Sequence, residues 1–107
     1  MLEEAKEFVL SLQASAMKKV LYNVQRIVCG EQNAELFKKL EGTDIWEFRT
    51  LFNGVHYRLF AFWDTETNTL IVATHGIVKK TQKTPKKEIA KAENIRKKYF
   101  EHKKNMQ

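Results

Sequence analysis

The stretch IWEFRTLFNGVHYRLFAFWD, residues 45–64, decides the fold because it has the pattern of two β-strands joined by a tight turn. β-Branched and aromatic residues fill both halves, and Asn53-Gly54 separates them. Asn-Gly is typical of a type I′ turn, which needs positive φ at both central residues. The sequence therefore predicts an antiparallel hairpin in which Phe52 pairs with Val55.

This register places Arg49 directly across from Arg58 on one face of the hairpin and Phe48 across from Leu59 on the other. Like charges opposite each other destabilise a sheet, by about 1 kcal/mol or less. Glu47 could offset the repulsion in an Arg-Glu-Arg surface ladder. The alternative interpretation is a phosphate clamp, because guanidinium groups match phosphate oxygens in pairs.

Residues 69–78, TLIVATHGIV, are predicted to form a third strand. A connection of two or four residues after Asp64 would place His75 on the arginine face, opposite Arg58 in the four-residue case. Three or five residues would turn it away. His75 is thus either a hydrogen-bonded strand-end residue or an acid or base, whereas His56 is interpreted as a surface or core side chain.

Two amphipathic helices are predicted before the hairpin. Apolar residues recur at the helical period over residues 2–12 and 17–28. Ser15 is expected to cap the second helix and Gly30 to end it. Residues 34–40 are expected to add a short helical turn. The residues expected to be neighbours in the core are Val24, Phe48 and Leu59.

A last helix is predicted after the third strand, with Thr84 as its cap and Pro85 as its first residue. Cys29 is expected to be a small buried hydrophobe without a disulfide or a metal. The fold class that follows is α+β, with two N-terminal helices packed on an antiparallel sheet of three or more strands and a C-terminal helix. Further core candidates are Trp46, Phe60, Phe62 and Trp63.

The length and composition predict one domain, residues 1–107, with its own core, because 43% of the 107 residues are hydrophobic. The longest apolar stretch, residues 59–63, is far shorter than the roughly 18 residues of a membrane helix. No signal-peptide pattern opens the chain. A soluble, cytoplasmic protein is therefore expected.

The basic charge is concentrated at the end of the chain. Residues 1–78 hold 8 Lys and Arg against 10 Asp and Glu, whereas residues 79–107 hold 11 against 3. Positive charge concentrated in this way favours binding to a polyanion such as nucleic acid. The alternative is a solvated basic helix with a frayed tail, HKKNMQ.

The chain resembles the RelE-type toxins of bacterial toxin-antitoxin pairs in the order of its elements and motifs. Two helices come first, followed by a strand ending in WEFR, a turn, the strand HYRLFAFW, a strand ending in HG and the loop KKTQKTP leading into EI. It is most similar to their HigB-like, phage-derived branch, and the resemblance covers nearly the whole chain. In that family a strand usually precedes the first helix, but here only Met1 does. A truncated start or a sheet that is one strand short would explain this departure.

The resemblance implies a RelE-like fold and a toxin that acts as a ribosome-dependent mRNA endoribonuclease, a hydrolase that inhibits translation. Its implied partners are a helix-turn-helix antitoxin, the ribosome and mRNA, with no membrane. Attack of a ribose 2′-hydroxyl on the adjacent phosphate needs proton transfer and charge stabilisation but no metal or other cofactor. The sequence agrees, because it shows no metal-ligand spacing.

By position, the resemblance implies the site residues Arg49, Arg58, Lys79, Lys80 and Lys83, with His75 as the alternative acid or base. The catalytic candidates are Arg58, Arg49, Lys80 and His75. The RNA-binding candidates are Arg49, Lys79, Lys80, Lys83, Lys86 and Lys87. A dense cluster of cations can depress the pKa of a lysine towards neutrality, which would supply a general base.

Two other functions stay open at this stage. ParE-like toxins share the fold but bind DNA gyrase and are not nucleases, so the fold alone does not name the activity. A non-catalytic RNA-binding module would keep the basic surface without a proton-transfer residue.

Overall fold

The computed structural model describes residues 1–66, 70–81 and 83–105, and of Leu70 the backbone only. The elements in these ranges are α1 (Glu3–Ser11), α2 (Ala14–Val28), β1 (Phe37–Lys39), β2 (Trp46–Phe52), β3 (Val55–Asp64), β4 (Leu70–Lys79) and α3 (Lys86–Asn105). The α+β class is confirmed, with two N-terminal helices, a four-stranded antiparallel sheet and a C-terminal helix. Within the described ranges, no helix is both long and apolar enough to cross a membrane.

The central hairpin has the predicted turn and register. Asn53 and Gly54 have φ values of 51° and 74°, as a type I′ turn requires. Phe52 pairs with Val55, and Arg49 lies across from Arg58. The sheet order is β1-β2-β3-β4, so each strand pairs with its neighbours in the chain.

The segment 34–40 was predicted to be a short helical turn, and residues 34–36 do form a turn in which the N–H groups of Leu36 and Phe37 donate to the Asn33 carbonyl oxygen. Strand β1, which follows it, was not predicted. Phe37 pairs with Phe48 of β2, and its ring lies 4.4 Å from that of Phe48 and 4.8 Å from that of Trp46, centroid to centroid. Pairing with β2 outweighs the weak local preference of this short segment. At the opposite edge of the sheet, the backbone N–H of Leu2 donates to the Ala73 carbonyl oxygen.

The connection between β3 and β4 has five residues, 65–69, of which 67–69 lie outside the described ranges. This length alone would turn His75 away from the arginine face. A bulge at Thr74 reverses that effect, because Ala61 pairs with Ala73 but Phe60 pairs with His75. His75 therefore shares a face with Arg58, although Arg58 lies opposite Ile77 and not opposite His75.

The helices cover both faces of the sheet. Helices α1 and α2 pack on β4 and β2 respectively, and α3 packs on the other face against β3 and β4. Val24 packs against the cluster that contains Phe48 and Leu59, which confirms the predicted core neighbours. The second cluster joins Phe60, Phe62, Val72 and Ile45 of the sheet side to Ala92 of α3. Burying each such Phe contributes about 1.5–3 kcal/mol.

Three local predictions were wrong. Ser15 lies inside α2, whose N-cap is Gln13. Thr84 does not cap α3, and α3 begins at Lys86 and not at Pro85. The hydroxyl of Thr84 donates to Glu47 Oε2 of β2, and the Pro85 carbonyl oxygen accepts the first helical hydrogen bonds. Cys29 was expected to be buried, but it is the C-cap of α2 and is exposed.

The basic end of the chain is anchored to the sheet, which contradicts a frayed tail at Lys103. Helix α3 continues to Asn105. Lys103 Nζ lies 2.8 Å from Asp64 Oδ2, and the hydroxyl of Tyr99 donates to the same oxygen at 2.7 Å. Asp64 is fully buried, so these groups replace the water that its carboxylate loses.

Candidate functional site

Charged side chains gather on the α3-facing side of the sheet, near the central turn. Alternation along the strands puts Glu47 and Arg49 of β2 on this face with His56 and Arg58 of β3. Lys79 of β4 pairs with His56 and so joins them. The arginine face is defined here as Glu47, Arg49, His56, Arg58 and Lys79.

Glu47 is the negative centre of the arginine face. Its Oε1 lies 3.3 Å from Arg49 Nε and 3.5 Å from Arg58 Nε, and its Oε2 accepts from Thr84 at 2.9 Å. Glu47 is only 2% exposed, so these partners replace the water that its side chain loses on folding. The Arg-Glu-Arg ladder considered from the sequence is therefore present, and it offsets the repulsion between the two arginines.

The two arginines differ in their access to solvent. Arg58 is 2% exposed, whereas the side chain of Arg49 is 23% exposed. Burial lowers the pKa of Arg58, Glu47 opposes this change and Arg49 adds to it. Arginine nevertheless keeps its proton at physiological pH. Arg49 is thus the guanidinium that a ligand reaches first, with Arg58 behind it.

A cavity of about 430 Å³ opens at the edge of β2, beyond the three residues that pair with β1, where side chains from both faces of the sheet meet. From the sheet it is lined by Arg49, Leu51, His56 and Arg58. Helix α2 contributes Lys19, Asn23 and Arg26. Four cations and one carboxylate, Glu35, line this space. Glu47 pairs with two of the cations and Glu31 with a third, so a smaller positive excess remains, which is suited to an anion.

The contribution of α2 was missed from the sequence, where α2 was interpreted only as a core helix. A signal was nevertheless present. Lys19, Asn23 and Arg26 are spaced by four and three residues, so they form one stripe along the helix. Asn23 also interrupts the apolar positions of α2 with a buried polar side chain.

Lys79, the last residue of β4, is the first lysine of the basic KKTQKTP segment and lies on the arginine face. Its Nζ is buried and has no hydrogen-bond partner among the described residues. Burial lowers its pKa most, and the nearby charges of Arg58 and Lys83 lower it further, while Glu47 opposes them. The pKa of Lys79 is thus lowered, but mainly by burial, and the clustered cations that the sequence pointed to make the smaller contribution. The other predicted loop cations, all exposed, are Lys80, Lys83, Lys86 and Lys87.

The two histidines of the sheet have different surroundings. His56 lines the cavity, and burial lowers its pKa with further contributions from Arg58, Arg49 and Lys79. His56 was not predicted as a site residue, although counting two positions back from Arg58 places it on the same face.

His75 is buried between β4 and α3 and is not among the residues that line the cavity. Its Nδ1 lies 3.0 Å from Thr74 Oγ1, its Nε2 lies 3.3 Å from Glu88 Oε1, and its ring stacks on Phe60. Burial lowers its pKa most, Lys91 adds to this effect and Glu88 opposes it. These contacts join the last strand to the last helix.

The aromatic core candidates lie away from the cavity. Phe60 and Phe62 are fully buried, and Trp46 and Trp63 pack on the opposite face with Phe37. Within the described ranges, no three His, Cys, Asp or Glu side chains are grouped so that they could hold a metal ion.

The fold and the cavity define a small, basic α+β protein in which cations of the sheet and of the second helix line one cavity. Residues 7–97 match the family described as phage derived protein Gp49-like (DUF891), and the chain belongs to that family. This family is part of the RelE/HigB-like toxin group, which confirms the resemblance at the level of the group and is consistent with a toxin that has an antitoxin partner. No curated protein and no solved structure matches the chain.

Proposed function

We propose that this protein is the toxin of a type II toxin-antitoxin system and that it cleaves ribosome-bound mRNA at the arginine face. The observation that carries the proposal is the cavity that brings Arg49, Arg58 and His56 together. Membership of a toxin group that includes the RelE and HigB types supports it. The partners proposed from the resemblance are a helix-turn-helix antitoxin, the ribosome and mRNA.

The proposed chemistry is an attack of a ribose 2′-oxygen on the adjacent phosphorus. The bond from phosphorus to the 5′-oxygen breaks, so one fragment ends in a 2′,3′-cyclic phosphate and the other begins with a 5′-hydroxyl. The attacking hydroxyl loses a proton and the leaving oxygen gains one. Negative charge develops on the phosphate oxygens between these steps, and this charge has to be stabilised.

The arginines supply that stabilisation. Arg49, the more exposed of the two, binds the phosphate oxygens through its planar fork. Arg58 acts from the floor of the cavity, where Glu47 holds it in place before substrate arrives. A charge held in advance in a poorly solvated site stabilises a transition state without reorganisation.

Proton transfer is assigned to His56 and Lys79. Neutral His56 accepts the proton of the 2′-hydroxyl, because its lowered pKa keeps the imidazole unprotonated near neutral pH. Lys79 does not line the cavity but pairs with His56 across β3 and β4, and its ammonium, whose pKa is also lowered, is assigned to protonate the leaving oxygen. His75, predicted from the sequence as a catalytic residue, is reassigned as a positioning residue of β4 and α3.

The exposed lysines after β4 are proposed to bind the RNA backbone. Lys80, which the sequence also put forward for catalysis, lies beyond the last strand residue and joins this group. Phosphate contacts of this kind position an RNA chain without reading its sequence. The proposed backbone-binding lysines are Lys80, Lys83, Lys86 and Lys87.

The proposal is tested by incubating purified protein with programmed ribosomes and mapping the mRNA ends. We expect cuts that leave cyclic phosphate, that persist in a chelator, and that are lost in Arg49→Ala. Lys98→Ala, an exposed change on α3, is the matched control. Inhibition of gyrase supercoiling without cleavage would favour a ParE-like toxin, and RNA binding without cleavage would favour a binding module.

A further inference from the structure

Asn23 is a polar side chain buried between α2 and the sheet that also lines the cationic cavity. It is 3% exposed, and its Nδ2 donates to Thr50 Oγ1 at 3.0 Å. Its Oδ1 is buried and lacks a hydrogen-bond partner among the described residues. A buried acceptor without a partner is destabilising, so its position beside a cavity indicates a ligand group that would satisfy it.

The assignment of the two amide ends does not change this argument. The Thr50 hydroxyl can donate as well as accept, so the Asn23 carboxamide could bond it through either its nitrogen or its oxygen. In both orientations one polar end of the carboxamide is used by Thr50. The other end is left for a group that enters the cavity.

The cavity determines what kind of ligand this is. Its four cations call for an anion, and Arg26 is held at its edge by two hydrogen bonds to Glu31, at 2.9 and 2.7 Å. The volume of about 430 Å³ falls in the range of small-ligand sites. A nucleotide combines the two requirements, because it carries a phosphate together with the hydroxyl and amino donors of its sugar and base.

We infer that Asn23 determines specificity by hydrogen-bonding the ribose 2′-hydroxyl or a base-edge amino group of a nucleotide whose phosphate lies against Arg49 and Arg58. The inference rests on the proposed RNA-directed function and adds α2 to the site. In this arrangement the arginines of the sheet bind the phosphate of the nucleotide, and Asn23 of helix α2 binds its sugar or base.

The test is an NMR titration of the full chain with ribonucleoside 3′-monophosphates, their 2′-deoxy counterparts and inorganic phosphate. We expect Asn23→Ala to weaken ribonucleotide binding by about threefold to tenfold, the scale of one hydrogen bond, and to leave phosphate binding unchanged. Loss of the ribose preference identifies the 2′-hydroxyl as the donor, and loss of a base preference identifies the base edge.

Two further variants separate recognition from folding. Thr50→Val removes the same internal hydrogen bond but keeps the carboxamide, so it should keep the wild-type preference. Asn23→Asp keeps an oxygen acceptor in a side chain of the same shape but adds a negative charge. If the oxygen of Asn23 faces the ligand, this variant should bind every anion more weakly by the same factor and keep the wild-type preference for ribose or base. Asn23→Leu, which keeps the side-chain size without a polar group, replaces Asn23→Ala if the alanine variant does not fold.

The inference is overturned if wild-type protein binds no nucleotide, if Asn23→Ala weakens inorganic phosphate as much as nucleotides, or if Thr50→Val has the same effect as Asn23→Ala. The titration requires neither ribosomes nor cleavage. A preference that depends on Asn23 in a protein that does not cleave mRNA would therefore refute the proposed nuclease alone.

Discussion

Arg49 and Arg58 face each other directly across β2 and β3, and a single oxygen of Glu47 lies within 3.5 Å of the Nε of both. One carboxylate therefore serves two guanidinium groups. The positive charge that remains is fixed in position before any ligand binds. This arrangement explains how a pair that should repel can sit on a stable hairpin and still attract an anion.

The first prediction concerns these two arginines. Arg49→Ala should lower cleavage by roughly 10²-fold, the scale for removing a preorganised charge stabiliser, with little change in stability because Arg49 is partly exposed. Arg58→Ala should lower cleavage at least as much. It should also destabilise the protein, by about 3 kcal/mol, because the buried Glu47 then loses one of the two guanidinium groups with which it is paired among the described residues.

Arg58→Lys is the control for that loss, since it keeps the charge and loses the planar fork. It should restore much of the stability, measured by urea unfolding, but only part of the cleavage. Full cleavage by folded Arg58→Ala would exclude the arginine face as the catalytic site.

The second prediction concerns salt. If Lys80 and Lys83 neutralise phosphates, replacing both with Gln should flatten the dependence of RNA affinity on salt, with each lost contact changing the logarithmic slope by roughly 0.7 for single strands. The matched control replaces Lys97 and Lys98, exposed on α3. Lys103 is unsuitable as a control because it is paired with Asp64. Equal slopes for the two double variants would contradict the assignment.

The third prediction separates the two histidines. His56→Gln should lower cleavage by about 10²-fold or more, and wild-type cleavage should fall as the pH drops below the lowered pKa of His56, where the base becomes protonated. His75→Gln should retain most of the cleavage. A larger loss in His75→Gln than in His56→Gln would reverse the assignment.

His75 should instead affect the pH dependence of stability. Its pKa is lowered in the folded protein, so the unfolded chain binds the extra proton first, and stability should decrease as the pH falls below about 6.5. Urea unfolding of wild type and His75→Gln at pH 7.5 and 5.5 checks this. The loss on acidification should be smaller in the variant.

The fourth prediction concerns the anchor of α3. Hydrogen bonds from Lys103 and Tyr99 hold the pKa of Asp64 below 3.8, so this anchor should contribute stability above that pH and lose it in more acidic solution. Asp64→Asn should unfold at a lower temperature at pH 7, and its difference from wild type should shrink as the pH approaches 3. Asp44→Asn, on an exposed carboxylate, should have little effect.

The same anchor has a spectroscopic signature. Asp64 raises the pKa of Tyr99 to about 12. Ultraviolet titration of Asp64→Asn should show one tyrosine that ionises at lower pH than in wild type. An unchanged titration would mean that the two side chains are apart in solution.

The central hairpin could be predicted because its register depends on two adjacent residues, Asn53 and Gly54, whose backbone preference is strong. The position of His75 could not, because it depends on a five-residue connection together with a bulge at Thr74, and neither has a local signature of that strength. Strand β1 was missed for a related reason. Three residues form a strand there only when the edge of β2 is available.

The site residues that could be predicted are those whose positions depend on residues near them in the sequence. Arg49 and Arg58 come from the hairpin register alone. His56 follows from the same register but was interpreted as a filler side chain. The contribution of α2 could not be predicted, because it depends on how the helix lies across the sheet. The helical spacing of Lys19, Asn23 and Arg26 shows that they share one side of the helix but not what that side faces.

The order of the strands has a consequence for how fast the protein folds. Each strand pairs only with its neighbours in the chain, and such local contacts favour rapid folding. The Asn53-Gly54 turn is therefore expected to form before the rate-limiting barrier. Asn53→Ala, which puts alanine at a φ of 51° and costs roughly 1 kcal/mol, should slow refolding in stopped-flow experiments. If it instead only accelerates unfolding, the sheet is completed after the barrier.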